Sequence, residues 1–291
     1  LAPPAHALFT NGGFQEGTFN WWTIEHGFNY GLITGIENSV TVPVAETVSW
    51  LPGAWDNTNL DSNYTPPSDR AFITSGTDNA AVAALLPVVR YGLYSARVNS
   101  RDNRYHATRI YQEDTLKAED RDPDGNYYIR FSWAAVLQDP GHPPDAQPYF
   151  HITLTNLTQE KILFSKFYYS NQPGLDWKTN DVIYGWKWVP WQDEDLNLSN
   201  LGVNVGDNLR IELSAGDCAY SGHGGYAYLD GFRSQASPAE GTSEGGLGAL
   251  GAGCGRVIDV GGNDGSGSGP WSGAALVTFF FALFLLPVWI L

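Results

Sequence analysis

Residues 127–156 read YYIRFSWAAVLQDPGHPPDAQPYFHITLTN, and this stretch decides the fold. Two runs rich in aromatic and β-branched residues, Tyr127–Leu137 and Tyr149–Asn156, flank the turn cluster Asp139-Pro-Gly-His-Pro-Pro144. Alternation bounded by Pro and Gly is the signature of strand, turn and strand. The same reading extends outward in both directions. Strand-like runs occur at Val40–Val44, Ala71–Thr74, Gly92–Asn99, His106–Tyr111, Ile162–Tyr169, Trp186–Trp191, Asn208–Ser214 and Tyr226–Arg233. Turn clusters separate them at Asp122-Pro-Asp-Gly125, Asn171-Gln-Pro-Gly174 and Gly216-Asp217. Only Asn79–Leu86 (NAAVAALL) has a helical composition, and Pro87 ends it. Short strands at this spacing predict an all-β antiparallel sandwich. No internal repeat is present.

Composition agrees and narrows the function classes. The chain has 33 Gly, 17 Pro, 11 Trp and 15 Tyr, with 14% aromatic and only 16% charged residues. That mix favours strands and turns over helices. The formal net charge is −15, from 31 acidic and 16 basic residues. Nucleic acid is excluded as a partner, because phosphate contacts need clustered Lys and Arg. An acidic balance instead fits Ca²⁺ binding or plain solubility. Of the two cysteines, Cys218 lies among the strands and Cys254 in the tail, an arrangement ill-suited to a structural disulfide. No Cys/His cluster with metal-ligand spacing is visible.

The chain divides by composition into four parts. Residues 1–7 read as a residual signal peptide or disordered start: Ala5-His6-Ala7 fits the small-residue pattern of a secretory cleavage site. Residues 8–235 are the sandwich. Residues 236–270 are a flexible, disordered Gly/Ser-rich linker with too few large apolar residues to build a core. Residues 271–291 carry no charge and read as one C-terminal apolar helix that spans a membrane or serves as a sorting signal. A buried core helix would show a polar face, and this one has none.

Leu8–Thr23, LFTNGGFQEGTFNWWT, resembles the first strand of jelly-roll carbohydrate-binding modules, which open N-x-G-F-E-x-G before a Trp. Gly225–Arg233, GYAYLDGFR, resembles their closing strand, with Gly231 where a second Asp is usual. The resemblance implies a jelly roll whose first and last strands are neighbours. The stretch Tyr127–Phe232 also resembles domains of exported bacterial surface proteins, to which no catalytic activity is generally assigned. The tail resembles Gram-negative C-terminal sorting signals without their final Arg run.

Candidate sites follow. The resemblance implies a structural Ca²⁺ held by Asn11, Glu16 and Asp230, where first and last strands would meet; otherwise Asp230 caps a strand end and Glu16 is a solvated turn residue. Asp120, Asp122 and Asp124 have the D-x-D-x-D-G spacing of a Ca²⁺ loop, closed by Gly125. Phe131 at the twelfth position rules out an EF-hand, and a hairpin turn is the favoured reading. Trp186 and Trp188 share a strand face, with Trp191 and Trp177 nearby, and exposed Trp rows stack on sugar rings. If that face is core instead, the ligand surface falls to the loop aromatics Trp50, Trp55, Tyr64 and Trp177.

Catalytic signatures are weak. His26, His106, His142, His151 and His223 are scattered, and neither G-x-S-x-G nor H-E-x-x-H occurs. Asp193, Glu194 and Asp195 read as an acidic loop rather than a glycosidase pair. Cys218 and His223 could form a nucleophile and base, but sit on the approach to the last strand. Cys254 reads either as a processing or lipidation site or as a stray thiol. The expectation is a non-catalytic surface protein for adhesion, glycan or matrix contact, exported and anchored in a bacterial cell surface or outer membrane; a polysaccharide-active jelly-roll enzyme is the alternative.

Overall fold

The computed structural model describes residues 8–52, 71–78, 86–101, 104–179 and 185–233. Fourteen strands are present among them: β1 (Thr23–Phe28), β2 (Leu32–Glu37), β3 (Val40–Glu46), β4 (Leu51–Pro52), β5 (Ala71–Thr74), β6 (Ser95–Val98), β7 (His106–Thr115), β8 (Tyr128–Gln138), β9 (Tyr149–Asn156), β10 (Lys161–Tyr169), β11 (Lys178–Thr179), β12 (Trp186–Asn197), β13 (Asn208–Gly216) and β14 (Gly225–Arg233). They build two six-stranded sheets, β10-β9-β13-β7-β1-β4 and β11-β12-β8-β14-β6-β5, and a β2-β3 hairpin. All pairings are antiparallel. The fold is the expected all-β jelly-roll sandwich, and all ten sequence-predicted strands are there.

The core forms where alternation points inward from both sheets. Phe150, Ile152 and Leu154 of β9 and Leu209, Ile211, Leu213 and Ala215 of β13 meet Ile129, Phe131, Trp133, Ala135 and Leu137 of β8 and Ala227 and Leu229 of β14. The intervening residues of the second sheet are buried too. Ala134, Val136, Tyr226 and Tyr228 pack with Trp186 and Trp188 under Leu86 and Val88. Strand β8 is therefore covered on both faces, which is why it reads as a nearly continuous apolar run. Tyr226 and Tyr228 both donate to the buried Asp78 carboxylate, the former at 2.8 Å.

Several expectations are corrected. Leu8–Trp22 is a chain of turns, not a strand: Phe9, Asn11, Phe14 and Trp21 have positive φ, and successive bonds run from Gly12 N to Phe9 O, Phe14 N to Asn11 O and Gly17 N to Phe14 O. Phe9, Phe14 and Trp22 are folded into the core. The first strand, β1, pairs with β7 and β4, while β14 lies in the other sheet, so the two are not neighbours. The departure at Gly231 has a steric cause. Its φ is +61°, and a Cβ there would lie 2.5 Å from Cδ2 of Tyr91.

The chain divides into two units, Leu1–Leu247 and Gly248–Leu291. All of the predicted helix Asn79–Leu86 but Leu86, the linker, Cys254, the apolar tail, Trp55 and Tyr64 lie outside the described residues. Among the described residues no helix is long and apolar enough to cross a membrane.

Candidate functional site

The outer face of the first sheet is where polar and aromatic chemistry collects. Register aligns its residues in rows across strands. Gly27, Ala107, Gly216 and Tyr149 form one row, Glu25, Arg109, Ser214, His151 and Phe167 the next, and Tyr111, Glu212, Thr153 and Ser165 the third. The first row is small so that other chain can lie on it. A Cβ on Gly27 would meet Cγ1 of Val48 at 2.5 Å, and one on Gly216 would meet the Tyr149 ring at 2.4 Å. The β2-β3 hairpin thus folds over one part of this face: Leu32 packs with Tyr149 and Tyr169, and the Tyr169 hydroxyl donates to Thr41 O at 3.0 Å. The second and third rows stay half-open, and residues 47–50 run beside them.

Clusters of polar and aromatic side chains occupy this open part. Arg109 Nε donates to Glu25 Oε2 at 2.6 Å, and Nη1 donates to Glu212 Oε1 at 3.3 Å. Its guanidinium carbon lies 4.6 Å from the Trp50 ring centre. Arg210 lies 4.4 Å from the Tyr111 ring centre and pairs with Glu113. At the other end Glu46 accepts from the Tyr149 and Ser214 hydroxyls, with His151 Nδ1 at 3.5 Å. The His151 ring stacks on Phe167 at 4.2 Å, and its Nε2 is 3.1 Å from Ser165 Oγ.

Burial shapes the charges here. It pushes the Glu212 carboxyl above the usual range, against Arg109, and the nearby Glu46 charge adds to the rise. Burial likewise drives the Tyr149 hydroxyl upward, reinforced by Glu46, so it stays a donor. Burial lowers the proton affinity of Arg210, but the hydrogen bond to Glu113 and the charges of Glu113 and Glu212 together outweigh this and hold it above the ordinary value. The result is a set of half-buried donors, acceptors and ring faces held in place by each other.

The sequence-predicted residues go elsewhere. Trp186 and Trp188, 6% and 4% exposed, are core to the second sheet and offer no stacking face, because they are buried in a cluster with Leu86, Val88, Tyr226 and Tyr228. Trp191 leans on the same cluster and donates to Pro87 O at 2.8 Å. Trp177 packs on the main core and donates to Gln172 O at 2.9 Å. Of the fallback loop aromatics, Trp55 and Tyr64 lie outside the described residues, and of the two described Trp50 is the one the fold brings to the polar face.

Of the proposed Ca²⁺ ligands, Asn11 and Glu16 share one turn, while Asp230 is engaged by backbone N–H groups of another segment. Asn11 bonds Thr18 O and the Glu16 N–H, and Glu16 accepts from Asn20, all within one turn. Asp230 is buried and accepts the N–H groups of Arg90 and Tyr91, both at 2.7 Å, and of Gly231. A carboxylate facing N–H donors is already compensated. The three loop aspartates diverge. Asp120 accepts Lys117 N, Asp122 pairs with Arg130, and Asp124 accepts from Asn126 and Tyr128 around the hairpin turn. Asp193, Glu194 and Asp195 bind Arg90, the Trp133 indole and Arg130 in turn.

Glu25, Arg109 and Glu212 were not singled out from sequence, and His151 was read only as one of five scattered histidines. For Glu212 the signal is the period-2 run Asn208, Arg210, Glu212, Ser214, the polar half of an alternating strand.

No family model and no curated protein matches the chain. Among solved structures it is similar to TmCBM61 in complex with β-1,4-galactotriose, at 12% identity and TM-score 0.39, covering 78% of this chain and 97% of that one. It is also similar to CBM27-1 of Caldicellulosiruptor saccharolyticus in complex with mannohexaose, at 12% identity and TM-score 0.30, covering 56% of this chain and 81% of that one. A further likeness is to CBM28, a carbohydrate-binding module specific for non-crystalline cellulose, at 15% identity and TM-score 0.29, covering 56% and 79%.

Proposed function

We propose that this chain is a non-catalytic glycan-binding protein and that the ligand lies across the outer face of the first sheet. The observation that supports it is that two clusters, Trp50–Arg109–Glu25–Glu212 and Glu46–His151–Phe167, share one half-open face. Sugar recognition needs two things at once. Ring faces must cover C–H surfaces, and donors and acceptors held at fixed geometry must meet hydroxyls. Side chains that already bond one another lose little freedom when a ligand arrives. Strands lie about 4.8 Å apart, so β1, β7, β13, β9 and β10 span about 19 Å, room for a short oligosaccharide. The net charge of −15 disfavours polyanions and points to a neutral glycan. The test is an array of neutral polysaccharides probed with the full chain. Retention on at least one, lost in Arg109→Ala, is expected; no retention on any overturns the reading.

A second reading rests on Glu212 and Glu46. A carboxyl raised by burial beside a second carboxylate is the equipment of a glycoside hydrolase. It predicts reducing-end release from a bound polysaccharide, abolished in Glu212→Gln. Binding without release favours the non-catalytic reading.

We propose further that the protein is exported and held at a bacterial cell surface by the uncharged segment Ala274–Leu291. A chain ending at Ser268 should then be released in soluble form. Full-length protein that fractionates as soluble with its tail intact would sink the anchor.

A further inference from the structure

Three residues that lie apart in the sequence converge outside the face described above. His142 comes from the β8–β9 connection, and Cys218 and His223 come from the β13–β14 connection. Their ligand atoms, one from each residue, all lie within 4.8 Å of one another. The sequence shows no metal-ligand spacing because His142 reaches the other two only through the fold.

Backbone hydrogen bonds hold the segments that present them. Cys218 N donates to His223 O at 2.9 Å, and Ser221 and Gly222 take φ of +66° and +94° between them. This tight loop brings Cys218 and His223 to the same side. Ala219 N donates to Ala146 O at 3.1 Å, tying the two connections together. The Gln147 amide donates to His142 O at 2.7 Å and fixes the third.

We infer that His142, Cys218 and His223 form a site for a divalent zinc-like cation, with one coordination position left open. Four observations carry this. Cys218 Sγ and His223 Nδ1 are 3.6 Å apart. Two ligands about 2.3 and 2.0 Å from a tetrahedral zinc are separated by about 3.5 Å. His142 Nδ1 is buried and has no hydrogen-bond partner. The His142 and His223 rings meet edge to face, with centroids 5.0 Å apart. Thiolate and imidazole are the donors that zinc selects over calcium or magnesium.

In the metal-free chain the Cys218 thiol donates to Ser221 O at 3.1 Å. Coordination replaces that bond, and the thiol proton leaves to solvent. Three protein ligands leave a fourth position for water. The ion would cross-link the two connections at this end of the sandwich, and the inference stands independently of the glycan reading.

The full chain, freed of metal with chelator and dialysed, is titrated with Co²⁺. An equimolar complex with tetrahedral d–d bands and a thiolate charge-transfer band is expected, displaced by Zn²⁺. Cys254→Ser should keep the thiolate band and Cys218→Ser should lose it. His142→Gln should weaken Co²⁺ binding by more than about tenfold, beyond what outer-shell changes bring at their smallest. If the buried Cys218→Ser fails to fold, His142→Gln and His223→Gln carry the test. A wild-type complex without a thiolate band, loss of that band in Cys254→Ser, or unchanged affinity in His142→Gln overturns the site.

Discussion

The guanidinium carbon of Arg109 lies 4.6 Å from the centre of the Trp50 ring while its Nε donates a 2.6 Å hydrogen bond to Glu25. A loop aromatic is thereby clamped over a cation that is itself clamped to a sheet carboxylate. The relationship joins residues 47–50, strand β7 and strand β1 into one rigid patch.

Trp50→Ala should therefore remove glycan retention while leaving the sandwich folded. A half-exposed cation–π pair is worth about 0.5–2 kcal/mol, so the melting temperature should fall only slightly. Affinity electrophoresis and a thermal melt on the same variant check both halves. Undiminished retention would place the ligand elsewhere.

Trp186→Ala and Trp188→Ala should behave in the opposite way. Both indoles are buried against Tyr226, Tyr228 and Leu86. Each truncation should cost about 3–5 kcal/mol in a urea melt, through lost burial and a residual cavity. A variant that melts like the wild type would show that the outer cluster of the second sheet is loosely packed.

Asp230→Ala leaves the N–H groups of Arg90, Tyr91 and Gly231 without their carboxylate. A loss of about 1–3 kcal/mol is expected for buried donors left unsatisfied. The loss should be equal in Ca²⁺ and in chelator, because the carboxylate is occupied by backbone. A stabilising shift by Ca²⁺ that disappears in this variant would contradict that assignment.

Stability should fall steeply at alkaline pH. Burial raises the hydroxyls of Tyr149, Tyr226 and Tyr228 above their ordinary value, with Glu46 adding to the first and Asp78 to the other two. A group whose folded pKa is raised contributes stability below its unfolded pKa, and that contribution is lost as pH rises through the folded value. The window opens at about pH 10, the unfolded tyrosine value. Melting temperature against pH, with tyrosinate absorbance followed in parallel, should show ionisation only as the protein unfolds. Early ionisation of all tyrosines in a still-folded chain would refute it.

Local pattern by itself determined the strands and the all-β sandwich. Period-2 alternation between turn residues states which faces are apolar before any partner is known. The same pattern held the outer polar row of β13 in plain view, as Arg210, Glu212 and Ser214. What it left undecided was which apolar face is covered twice. Trp186 and Trp188 alternate like a ligand platform, yet Leu86 and Val88, a hundred or so positions away in chain terms, bury them. Trp50 is one loop aromatic among several until β1 and β7 put Arg109 beneath it. His142 is an isolated histidine until the connection carrying it meets Cys218 and His223. Leu8–Trp22 carries a strand-like motif, yet positive φ at five of its residues turns it inward to fill the core. Strand identity depends on neighbours two residues apart, so the chain states it locally. Site identity depends on which strands become neighbours, and only the closing of two sheets around one core decides that.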